Sequence, residues 1–245
     1  MSINFILLVV ITVALGAPLA MGVLTSGIAV FAFVVAVWIV ALCLHEYGHA
    51  AAADAGGDHT VQSKGYLTLD PVHYADPVTS LILPVAILAM GGIGFPGAAV
   101  YIRHDLLRSP LWRSGVSLAG PAMTGVAMLI LAIPFMLGMI GDAAPAFGVA
   151  LAMLVFLQAT ALILNLLPIP GLDGFGVIEP FLPPAMQRAI QPVRNYAFIV
   201  LFVILILVPG AAAPLFMASF AIITALGVPV EWVFEGLQAF KFWEQ

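Results

Sequence analysis

Leu42-Cys43-Leu44-His45-Glu46-Tyr47-Gly48-His49-Ala50-Ala51-Ala52-Ala53 puts three ionisable side chains into an otherwise apolar run, and the rest of the chain is read from that interruption. Residues four apart share a helix face, so His45 and His49 project together and can hold one metal ion. Glu46 borders that face and can reach a water beside the metal. An ionisable triad in an apolar segment is costly unless coordination or partners compensate, so a functional site is the default reading. The plainer alternatives are a His-Glu-His cluster satisfied by neighbouring helices without metal, and a metal held without catalysis. Cys43 lies two residues before His45, roughly on the opposite side of the helix, and reads as packing.

The composition around this stretch is that of a membrane protein. Of 245 residues, 63% are hydrophobic and 8% charged, with a mean hydropathy of +1.17, against about 25% charged in soluble domains. The net charge of −5 is spread over short loops with no basic run, which excludes nucleic acid as a partner. A single cysteine excludes an intrachain disulfide. Residues 1–20 are apolar with no Lys or Arg ahead of them, which favours a first transmembrane helix over a cleaved leader.

Crossing the hydrocarbon core takes about 20 apolar residues. On that measure spans fall near 4–23, 28–53, 114–140, 146–167, 195–209 and 212–229, an all-α polytopic fold of about six transmembrane helices in a single domain over 1–245. The catalytic core is expected over about 28–180 and an interfacial tail over about 230–245. Within the third span, Ser117-Leu118-Ala119-Gly120-Pro121-Ala122 and Gly125 permit close helix approach. Residues 78–98 are apolar for too short a stretch and then rich in Gly, so they read as a re-entrant hairpin between the second and third spans. An irregular edge at Gly92, Ile93 and Gly94 could line a water-filled cavity and accept an unwound substrate as an added strand. With six spans, Lys64, Arg103, Arg108, Arg113, Arg188, Arg194 and Lys241 all lie on one side. The positive-inside rule makes that side cytoplasmic, with both termini and the active-site opening there, in the cell membrane.

A second motif closes the fourth span: Asn165-Leu166-Leu167-Pro168-Ile169-Pro170-Gly171-Leu172-Asp173-Gly174. Pro168 and Pro170 break the helix, and Gly171 and Gly174 let the backbone turn. Asp173 then falls at the depth of His45 and His49, where a carboxylate completes a three-ligand zinc site with one position free. The plainer reading is a polar loop cap at a membrane boundary. His59, His73 and His104 fall in loops on the same side and read as solvated or locally hydrogen-bonded imidazoles. In the tail, Trp232, Phe234, Phe240, Phe242 and Trp243 among charged residues suggest an amphipathic interfacial segment.

The two motifs together resemble the site-2 protease family of intramembrane zinc metalloproteases, with His45-Glu46-Tyr47-Gly48-His49 for its HExxH motif and Asn165 to Gly174 for its NxxPxPxLDG motif. Residues 65–71, Asp76-Pro77, the run from Leu81 to Met90 and Ala119-Gly120-Pro121 look like one compact bacterial branch lacking PDZ and CBS domains. The resemblance covers about 38–180. It implies one zinc ion per chain on His45, His49 and Asp173, Glu46 as general base, and Asn165 as a holder of the substrate backbone or its oxyanion. The substrate implied is a transmembrane segment of another protein, unwound before attack. Two departures stand out: Thr124 where the branch often has Asn, and Tyr74 where it often has His, with His73 one position earlier. A metal-ion transporter and a catalytically silent relative that binds membrane proteins are the alternative functions.

Overall fold

The computed structural model describes residues 1–74, 100–140 and 145–244. Eight helices carry the architecture: α1 (Ile3–Ala20), α2 (Gly27–Gly56), α3 (Pro110–Met136), α4 (Pro145–Asn165), α5 (Asp173–Ile178), α6 (Arg194–Leu207), α7 (Ala213–Ala225) and α8 (Val230–Phe240). Among the described residues there is no strand, so the all-α expectation holds. The proposed hairpin over 78–98 lies outside the described residues.

Local chemistry sets the helix ends. Ser2, Ser26 and Ser109 each cap a following helix by accepting a backbone N–H three residues on, and Pro110 sits where a missing N–H costs nothing. Gly57 ends α2 in the left-handed region at φ +119°, a conformation open to glycine. The third apolar stretch runs through Pro121 and Pro134 inside α3.

α4 is the central helix. Of its best membrane window 83% is buried by protein, against 17% for α1, 50% for α2 and 39% for α3. The other helices therefore turn apolar faces outward, as lipid contact demands. Around α4, Leu19, Val30, Val34, Met153, Leu154, Leu157, Ile223 and Phe240 form one buried cluster. Since lipid is as apolar as these side chains, close backbone approach carries the association. A Cβ on Gly48 would stand 2.6 Å from the Ala119 carbonyl oxygen, and one on Gly236 only 2.3 Å from that of Val149.

The pairing of residues fixes the direction of each helix. Phe5 packs beside Cys43 and Gly16 beside Phe33, so α1 and α2 are antiparallel. His49 meets Val116, while Phe135 contacts Trp232; α3 thus runs away from the histidines. α4 returns to place Asn165 beside Glu46. α7 lies antiparallel to α4, with Thr160 Oγ1 3.1 Å from Ser219 Oγ and the Phe156 and Phe220 rings 4.8 Å apart.

One expectation is not confirmed and one is corrected. Among the described residues four helices are long and apolar enough to cross a membrane, and the pair α7 and α8, bent by 114°, makes up to a fifth. The expected span over 195–209 is short of that length. Its helix, α6, has 14 residues, or roughly 21 Å. Arg194 at its start pairs with Glu179, and Phe202 packs with Leu164 and Leu215 at the histidine end of α4. An apolar run of that length satisfies hydropathy and is shorter than the hydrocarbon core.

The correction concerns the termini. Ser2 donates its backbone N–H to the Thr68 carbonyl at 2.7 Å, and Asn4 bonds Asp70, so the N-terminus lies at the histidine end. At the other end of the molecule Phe31, near the start of α2, contacts the rings of Phe240, Phe242 and Trp243. The termini are therefore at opposite ends, and Lys241 is separated from the other six basic residues. The tail is amphipathic as expected: α8 buries Val233, Gly236 and Phe240 and exposes Glu231, Glu235 and Gln238.

Candidate metal centre

His45, Glu46 and His49 are all buried in α2. The imidazoles project one above the other, with Nε2 atoms 3.1 Å apart. Asp173, the first residue of α5, completes the group: its Oδ2 lies 3.3 Å from His45 Nε2 and its Oδ1 3.4 Å from His49 Nε2. Among the described residues this is the one cluster of His, Cys, Asp or Glu side chains that could hold a metal. Zinc bonds of about 2.0–2.2 Å in a tetrahedron place neighbouring donors roughly 3.3–3.6 Å apart. The two imidazole nitrogens are 3.1 Å apart and each has one Asp173 oxygen at 3.3 or 3.4 Å, spacings close to those of neighbouring donors in that tetrahedron.

The opposite nitrogens of both rings are engaged. His49 Nδ1 is 2.7 Å from the Val116 carbonyl oxygen, which can only accept, so Nδ1 carries the proton and Nε2 keeps its lone pair. His45 Nδ1 lies 2.8 Å from Thr124 Oγ1. That hydroxyl faces the Gly120 carbonyl oxygen at 3.4 Å, so it donates there and accepts from His45. Both imidazoles are thus held in the tautomer that offers Nε2 to a metal, as outer partners of ligating histidines commonly arrange.

Space at the cluster depends on Gly120. A Cβ there would lie 2.2 Å from His49 Nε2 and 2.7 Å from His45 Nε2. The turn bearing Asp173 has a similar requirement: a Cβ on Gly174 would lie 2.2 Å from the Leu166 carbonyl oxygen, and Gly171 sits at φ +100°. Glycine at these positions lets α5 fold back under the end of α4. The Ser114 hydroxyl, donating to the Val177 carbonyl, ties α5 to α3.

Glu46 faces a cavity shared with His45, Thr124 and Asn165. Its Oε2 accepts the Val100 N–H at 2.9 Å. The segment that delivers Val100 is anchored to the end of α2, since Asp58 Oδ2 accepts the Arg103 N–H at 2.7 Å and the Gly56 carbonyl accepts that of Arg108 at 3.0 Å. Asp58 Oδ1 takes the Thr60 hydroxyl and N–H.

The structure therefore brings together His45, His49, Asp173, Glu46 and Asn165 from three helices. Gly92, Ile93 and Gly94 lie outside the described residues. His59 stays apart, paired with Asp54 at 2.9 Å, and His73 stands 3.8 Å from Asp70. Cys43 packs against Phe5, away from the cluster. The sequence reading passed over Val116, took Gly120 as helix packing and Thr124 as a departure. The visible signal was a glycine with a hydroxyl four residues on, facing a helix that bears two histidines.

The chain is similar over most of its length to proteins of known name. The chain is 44% identical over 247 residues to "Putative zinc metalloprotease Rip2" of Mycolicibacterium smegmatis, covering 98% of this chain and 93% of that protein. Its identity to the protein of the same name in Mycobacterium tuberculosis is 45%, over 87% of this chain and 82% of that one. With "Putative zinc metalloprotease YwhC" of Bacillus subtilis it shares 29% identity, over 71% and 80%. No family model and no solved structure matches. Zinc is the cofactor those names imply, and the donor triangle, the fixed tautomers and the space above Gly120 all fit it. The chain belongs to the site-2 protease family of intramembrane zinc metalloproteases.

Proposed function

We propose that His45, His49 and Asp173 hold the zinc of this intramembrane protease, that Glu46 is its general base, and that the substrate is a transmembrane segment of another protein. The observation that carries this reading is the triangle of donor atoms with Glu46 buried beside it. Bound there, zinc supplies a Lewis acid that polarises a carbonyl and lowers the pKa of water to about 7. Glu46 takes a proton from the attacking water and delivers it to the departing amine. The Val100 N–H on Oε2 restrains that carboxylate and leaves Oε1 for the proton. Asn165, 5% exposed and lining the same cavity, is placed to hold the substrate backbone or its oxyanion. Glu46 has no use in a metal-ion transporter, which argues against that alternative.

The opening of the site is proposed to face the cytoplasm, because six of the seven basic residues lie at the metal-centre end. Strand addition at Gly92, Ile93 and Gly94 is also proposed. Its support is the Gly-rich composition of that stretch and the bond that brings nearby Val100 to Glu46. The catalytic core is assigned to about 28–180 of one domain.

Purified protein in detergent tests the assignment, with a model transmembrane substrate and a metal assay. Ala at His45, His49 or Asp173 should remove both zinc and cleavage. Glu46→Gln should stop cleavage with zinc retained. Full activity and zinc in Asp173→Ala would overturn the ligand set.

A further inference from the structure

The cavity at Glu46 extends away from the metal centre, two helical turns deeper along α2 and α4. Its walls include Trp38, Ala41 and Leu42 from α2, and Gln158 and Ala161 from α4. Most of this lining is apolar, but its far end is not. Gln158 is only 3% exposed and, among the described residues, its amide has no hydrogen-bond partner. The indole Nε1–H of Trp38 is also buried without an acceptor. Both positions lie seven residues before a residue of the candidate site, His45 in α2 and Asn165 in α4, so they occupy one level, roughly 10 Å from it.

An unpaired amide and an unpaired indole N–H at one level of an apolar cavity are costly to leave dry. They would be satisfied by a group carrying an uncharged acceptor and, for the amide oxygen, a donor. An acidic group would have to enter past Glu46 at the metal-centre end, and a cationic one would meet the indole N–H; neither is favoured.

We propose that this cavity is a specificity pocket, taking the side chain of a substrate residue flanking the cleaved bond, and that Gln158 and Trp38 select a neutral hydrogen-bonding side chain there: Thr or Ser, Asn or Gln. Such residues are uncommon in a lipid-facing helix, so the pocket would distinguish one site along an otherwise apolar segment. The inference rests on the assignment of Glu46 and the metal ligands above, and adds the substrate feature that they read.

Matched substrates test it. Model transmembrane segments with Thr or Val, and Asn or Leu, at each position flanking the cut differ in hydrogen bonding at similar volume. The native protein should cleave the hydrogen-bonding member of a pair about tenfold faster in kcat/KM at one flanking position, the effect of one or two buried hydrogen bonds. Gln158→Met and Trp38→Phe should each bring that ratio toward one, with zinc content unchanged. Two separate variants guard against one that fails to fold. Equal cleavage of the pairs at every flanking position, or a preference that survives in both variants, would overturn the pocket. Because Glu46→Gln should be inert on every substrate, a flat preference in an active native enzyme would refute the pocket without touching the metal assignment. If all substrates slow equally in both variants, the cavity holds only water and the proposal fails.

Discussion

Thr124 Oγ1 stands 2.8 Å from His45 Nδ1, joining α3 to α2 across 79 positions of sequence. The Thr124 side chain is almost fully buried. Its hydroxyl sets which His45 nitrogen is protonated, and thereby which one faces the metal.

Removing that hydroxyl should weaken zinc binding rather than abolish it. Thr124→Val keeps the shape of the side chain and is expected to lower zinc affinity about 10- to 100-fold, the usual cost of losing an outer partner. Thr124→Ser restores the acceptor and should recover most of the affinity. Zinc retained against a competing chelator measures both. A valine variant that held zinc as tightly as threonine would show that the ring is oriented by packing alone.

Gly120 presents the opposite case, in which an added group is excluded. A methyl placed 2.2 Å from His49 Nε2 and 2.5 Å from its Cε1 must displace the ring from the metal-facing position. Gly120→Ala should therefore lose zinc and cleavage while remaining in the membrane fraction. Gly125→Ala is the control on the same helix, since its added Cβ meets only Leu162 Cδ2 at an ordinary 3.8 Å. Full activity in Gly120→Ala would mean that α2 and α3 can separate at no cost.

Asp58 offers a test in pH. Burial pushes its carboxyl up, but the Thr60 hydroxyl and the N–H groups of Arg103 and Thr60 outweigh this and hold it below the ordinary carboxylate range. A carboxyl lowered on folding adds stability that is present above its unfolded value of about 3.9 and lost as pH falls through the folded value. Asp58→Asn should reduce stability at pH 7 by about 1–3 kcal/mol. Its deficit relative to the native chain should shrink on acidification below about pH 4. Thermal unfolding of both proteins in detergent, zinc-free, reads the difference; a deficit independent of pH would rule out a contribution from the charge.

The proposed metal set was legible because helical spacing and a Pro-Gly-rich turn are local signals. His45 and His49 needed only the period of a helix, and Asp173 only the breaks at Pro168 and Pro170. Val116, Gly120 and Thr124 were not legible in that way, since their roles depend on which face of α3 meets α2. The buried pocket at Trp38 and Gln158 was missed for the same reason. Hydropathy does not reveal how α6 packs, because it counts apolar residues, and Phe202 is apolar whether it faces lipid or packs on Leu164.

Topology gives the sharpest remaining test. If α1, α2, α3, α4 and the bent pair α7 and α8 cross, the number of crossings is odd and the termini must lie on opposite sides. The aromatic contacts of Phe31 with Phe240, Phe242 and Trp243 hold the C-terminal segment at the start of α2, the end remote from the metal centre. Arg188 and Glu244 are both exposed, so cysteines placed there are open to an impermeant thiol reagent. Cys43 is buried and can be replaced by Ala to remove the background. Position 188 should label from the face that opens onto the metal centre, the side proposed above to be cytoplasmic, and position 244 only from the other. Labelling of both from one face would mean that α7 and α8 turn back without crossing. The 114° bend would then be a re-entrant loop, and the count would fall to the four long helices.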